Sequence, residues 1–184
     1  MKSKSVFFAS VIVLALTLPS LAQEDKLGKV SFPTSCDPKV QAQFERGVAM
    51  LHSFWYSEGD KMFRDVLAQD PSCAIATWGI AALLMSNPLA GVGSSPKGAA
   101  QAQAAIEQGR KIGAKTQRER DYIEAVAAYY EDWTNRYEND RQKSRAKAYE
   151  ALAAVTQMTT KRKSFMRFIW PARSHSLSRL LQPI

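Results

Sequence analysis

The 184-residue chain has little of what most enzymes and nucleic-acid-binding domains are built from. It holds two histidines and two cysteines, and before residue 157 only His52, Cys36 and Cys73 remain. That is a poor ligand set for zinc. A Gly-rich phosphate loop, paired metal-ligand spacing and a Gly-x-Ser-x-Gly elbow are all missing. No segment alternates apolar and polar residues as a half-buried strand does. The expectation is an all-α protein that is not an enzyme, with no catalytic residue, metal or cofactor. His52 has no neighbouring nucleophile to activate. The carboxylate pairs Asp60 with Asp65 and Glu119 with Asp121 fall on stretches that read as solvated helix faces.

A basic core is also lacking, despite a formal net charge of +8. Two of those charges, Lys2 and Lys4, lie in the first residues. Six more, Lys161, Arg162, Lys163, Arg167, Arg173 and Arg179, follow residue 160 with no acid among them. The body between is electrically balanced, so a nucleic-acid partner is not expected.

The chain opens as an export signal. Lys2 and Lys4 precede an apolar run from Val6 to Leu18, and Ser20-Leu21-Ala22 offers small residues for cleavage after Ala22. Residues 1–22 therefore read as a leader, and the mature chain as a periplasmic or secreted bacterial protein. In an oxidising compartment Cys36 and Cys73 read as a disulfide. Closing a loop of that length stabilises a fold by roughly 4 kcal/mol in the chain-entropy model.

Residues 23–38 contain Gly28, Pro33 and Pro38 and read as an extended lead-in. Helical periodicity then begins: Phe44, Val48, Leu51 and Trp55 share one face. A second helix follows Ser57 and stops at Asp70-Pro71, where proline cannot continue it. A third starts near Cys73. The Gly-, Pro- and Ser-rich stretch 86–98 is a loop. Helix resumes from Ala99 to a left-handed cap at Gly113. Thr116 with Glu119 forms a capping box for a helix to about Trp133, and a last helix covers roughly 141–155.

Within this pattern Gly47, Gly59, Phe63 and Pro71 fall at fixed intervals, and Trp78-Gly79 follows as the opening of a next unit. Small residues let two helices approach, an aromatic fills the gap, and proline ends the unit. The timing resembles the tetratricopeptide repeat, a helix–turn–helix of about 34 residues. The lead-in "SFPTSCDPKVQAQFERGVAMLHSFWY" also resembles exported bacterial proteins of that family. The resemblance implies a short solenoid over residues 39–156. Its first helices would line a concave groove for a peptide or protein partner. Phe44, Val48, His52 and Trp55 are then the candidate partner-binding residues.

Residues 157–184 break composition: basic, without acid, and interrupted by Pro171. One expectation is a basic helix that grips an anionic membrane. The other is a frameshift. If Arg162 and Arg167 use CGN codons and Ser164 uses TCN, the frame one nucleotide earlier permits "YPDDDEAKIFYALYLA" over 156–171, which resembles a further repeat. On that reading the tail lies outside the fold, and Tyr149 and Leu152 lose their neighbour and stay exposed.

Overall fold

The computed structural model describes residues 27–87 and 90–169, with side chains through residue 156. Residues 1–22, read above as a leader, and residues 170–184 lie outside the described residues. The described chain is all-α: α1 (Pro38–His52), α2 (Tyr56–Gln69), α3 (Ile75–Leu84), α4 (Pro96–Ile112), α5 (Gln117–Tyr130) and α6 (Glu138–Ile169), with one 3-10 turn at Trp133–Asn135.

Local chemistry sets the boundaries. The Asp37 carboxylate accepts the Lys39 amide hydrogen bond at the start of α1, and Pro38 needs no partner there. Ser95 and Pro96 repeat the device at α4. α4 ends at Gly113, which takes φ +78°. Thr116 accepts from the Glu119 amide, the first half of the expected capping box. The second half does not form, because the Glu119 carboxylate is engaged elsewhere.

The helices stack as pairs: α1 on α2, α3 on α4, α5 on α6. α2 packs on α3, α4 on α5, and the first helices α1, α3 and α5 touch in succession. The expected spacer logic is present at atomic detail. A Cβ on Gly79 would lie 2.5 Å from the Phe63 ring, and one on Gly47 would lie 3.0 Å from it. Phe63 thus fills the crossing of three helices and is fully buried. A Cβ on Gly109 would collide with Thr77 Oγ1, so α3 and α4 also need a bare backbone where they cross. α3 is buried nearly all round, which explains why it lacks a polar stripe.

Cys36 and Cys73 form the expected disulfide. It joins the lead-in to the turn before α3, where Asp70 completes the junction. One Asp70 oxygen accepts from Asp37 N (2.8 Å), the other from Ser72 N and Oγ.

Two expectations need correction. α6 runs from Glu138 to Ile169, not 141–155, since nothing between Val155 and Ile169 is a proline or glycine. Tyr149 and Leu152 are also not left bare. Leu152 is buried, and Tyr149 lies half-buried with its hydroxyl accepting from Trp78 Nε1 at 2.6 Å. α6 supplies the missing neighbour itself by reaching across to α3.

Candidate functional site

An aromatic row runs across the first helices of the stack. Phe44 of α1 and Trp78 of α3 stand 34 positions apart and face the same space, with Tyr122 of α5 continuing the line. This space is occupied at one end. Phe32 of the lead-in inserts among all three, with ring centroids 5.4 Å from Phe44, 5.4 Å from Trp78 and 4.9 Å from Tyr122. The Arg118 guanidinium sits 4.1 Å above the Phe32 ring, a cation–π contact that seals the seat.

The polar groups of the lead-in are met as fully as its ring. Phe32 N donates to Glu45 Oε1 (2.9 Å), and Gln41 Nε2 donates to Phe32 O (2.9 Å). Thr34 donates from both N and Oγ1 to Gln41 Oε1. Ser35 donates from N and Oγ to the two oxygens of Glu119. Glu119 is therefore a buried acceptor on the groove side, not the solvated carboxylate expected from sequence. Asp65 and Asp121 do lie on helix surfaces, bonded to Lys61 and Gln117, while Asp60 is half-buried, with one oxygen accepting from Arg64 and the other buried without a partner.

Phe44 and Val48 belong to this closed end and are 0% and 2% exposed. The chain's own packing, Phe32 included, covers them. His52 and Trp55 are exposed, Trp55 at 41%. They lie at the other end of the row, which is open.

That open end is a cavity of about 320 Å³, the size of a small ligand pocket. Its walls are Trp78 and Ala82 of α3 with Met85 just after it, Leu51 and His52 of α1, Phe54 of the following turn, Tyr56 at the start of α2, and Arg145 and Tyr149 of α6. Among the described residues, four buried side-chain polar atoms have no hydrogen-bond partner, and two of them, Tyr56 Oη and Arg145 Nε, are on residues that line this cavity. Each such orphan costs about 1–3 kcal/mol. Burial raises the Tyr56 phenol above its ordinary value, so it stays a neutral donor. Burial likewise pushes Tyr149 up to about 12, the Trp78 hydrogen bond opposing this in part.

The rim carries a strained aromatic turn. Phe54 is 48% exposed and holds φ +60°, a left-handed conformation costing about 1–2 kcal/mol for a residue with a Cβ. Periodicity across α1 could find His52 and Trp55. It could not find Tyr56 at the start of α2, nor Arg145 and Tyr149, which the path of α6 brings there.

Two other features are weaker sites. A larger concavity of about 590 Å³ lies between α4 and α5, but its Arg110 is already bonded to Glu107 and Glu124. Cys36, Cys73 and Asp70 cluster as metal donors would. The sulfurs, however, are joined to each other and the carboxylate accepts three hydrogen bonds. No protein-family model, curated protein or solved structure matches the chain.

Proposed function

We propose that this is an exported scaffold of the tetratricopeptide type that holds a peptide or protein partner at the open end of its concave groove. The observation that carries this reading is the pairing of an apolar cavity with two unmatched donors, Tyr56 Oη and Arg145 Nε. A partner that seats an apolar side chain against Trp78 and brings one acceptor satisfies both deficits, after a small turn of either donor side chain. Phe54 and Trp55 at the rim add aromatic area of the kind that anchors interfaces.

A photo-cross-linking side chain at position 54, expressed in the exporting cell, tests it. A discrete adduct is expected there, absent when the same group stands at Glu107 on the opposite surface, and reduced at least about tenfold by Arg145→Ala. Equal labelling at 54 and 107 overturns the reading. Release of the protein by osmotic shock, with a mature N-terminus at Gln23, tests the export.

A second reading is attachment to anionic membrane through the basic stretch 161–167, which lies on the unbroken helix α6. No described helix is long and apolar enough to cross a membrane. Binding to phosphatidylglycerol vesicles that disappears on removal of residues 158–184 supports this second reading.

A further inference from the structure

The lead-in is bound the way a ligand is bound. Six main-chain groups between Phe32 and Ser35 are held by side chains of the stack. Glu45 takes Phe32 N, Gln41 takes Phe32 O and Thr34 N, and Glu119 takes Ser35 N. Arg118 donates to Pro33 O at 2.9 Å and Lys115 to Ser35 O at 3.3 Å. No acceptor is needed at residue 33, where proline has no N–H. The two hydroxyls of Thr34 and Ser35 donate to Gln41 and Glu119. The ring of Phe32 takes the aromatic seat. A segment without helix or strand, read in this manner by two helices and a loop far apart in sequence, has the contact pattern of a peptide in a groove. What makes it a permanent occupant is the latch that follows: the Cys36–Cys73 bond and the Asp37 amide on Asp70.

We infer that the closed end of the groove is itself a peptide-binding site, filled in this chain by residues 32–35 and held shut by the Cys36–Cys73 bond. Its external ligand is an uncharged, extended segment with an aromatic residue, then proline, then two hydroxyl-bearing residues. The two acids and two bases of the seat balance, which favours a neutral ligand over a charged one. Tethering keeps the internal segment at an effective concentration of about a millimolar or more, so a free peptide cannot displace it while the latch is closed. The inference concerns the end opposite the open cavity, so loss of either reading leaves the other standing.

The test uses the full chain and a labelled, end-blocked synthetic peptide copying residues 30–35. The oxidised, unaltered protein is expected to show no binding. The variant Phe32→Ala/Cys36→Ser/Cys73→Ser is expected to bind it saturably. A peptide carrying alanine in place of its phenylalanine should bind at least about tenfold more weakly. A variant that keeps its helical circular dichroism and cooperative unfolding, yet binds no peptide, overturns the inference.

Because that variant can fail to fold, hydrogen exchange on the unaltered chain gives a second reading. Dithiothreitol supplies two electrons and two protons, leaving as its cyclic disulfide while Cys36 and Cys73 become thiols. The amides of Phe32, Thr34 and Ser35 are then expected to exchange at least about 100-fold faster, with Phe63 and Ile80 still protected. Loss of protection at 32–35 only together with Phe63 and Ile80 makes the segment ordinary core and overturns the inference.

Discussion

The two ends of the aromatic row are built on the same helices, one filled by Phe32 and one open, and they differ in whether the polar groups are matched. At the Phe32 end every main-chain group described above has a partner, and the aromatic seat is full. At the His52 end the walls are equally apolar, but Tyr56 Oη and Arg145 Nε are left over. Trp78 is the wall between them: one side stacks on Phe32, the other faces the cavity. Burial alone therefore does not separate core from site in this fold. The accounting of donors and acceptors does.

The sharpest way to break the contrast is Phe32→Ala. It empties the filled end and should cost about 3–5 kcal/mol, read as a fall in the urea midpoint. Arg145→Ala, which touches only the open end, should cost far less. Next comes Cys36→Ser/Cys73→Ser, expected to lower stability by about 2–4 kcal/mol in equilibrium unfolding. Reduction of the unaltered chain should reproduce that loss.

Gly79→Ala forces a methyl against the Phe63 ring and should cost about 1–3 kcal/mol. Gly28→Ala, which meets nothing within 4 Å, should be neutral in the same assay. Acid separates the ends as well. The Asp37 amide, with Ser72, holds the Asp70 carboxyl below its ordinary value. A depressed carboxylate contributes stability above the unfolded value of about 4 and loses it as pH falls toward the folded one. Asp70→Asn should therefore flatten the decline in urea midpoint as pH falls below about 4.

The smallest effect has the opposite sign. Phe54→Gly relieves the left-handed strain and should leave stability unchanged or raised by up to about 1 kcal/mol, while weakening the cross-link at the open end. A variant that loses stability instead means that the Phe54 ring supports the fold.

The helical plan was legible because its signals are local. Asp70-Pro71, Thr116 and Gly113 each fix a boundary by the chemistry of one or two residues, whereas α4 begins at Pro96, three residues before the expected Ala99, because Ser95 caps it. The spacer role of Gly47, Gly59 and Phe63 was legible for the same reason, since size and spacing state it. The site was legible only in part. Periodicity placed Phe44 and Val48 on the concave face, but what lies above that face is decided by segments far away in sequence. Phe32 and Glu119 belong to elements whose meeting no local pattern encodes, and α6 brings Arg145 and Tyr149 to the open end by its length and direction. Glu119 is the clearest case: its position after Thr116 reads as a cap, and its carboxylate is taken by Ser35 instead.

The Glu119 contact also orders events in time. Ser35 and Glu119 are 84 positions apart, and Pro33 and Arg118 are 85. A chain emerging N-terminus first holds its lead-in ready long before α5 exists to receive it, and contacts of such separation form slowly. Cys73 emerges earlier than Glu119, so the disulfide can fix the lead-in beside α1 and α3 while the rest of its seat is still being made. The bond that latches the finished groove is thus also positioned to shorten the search that closes it.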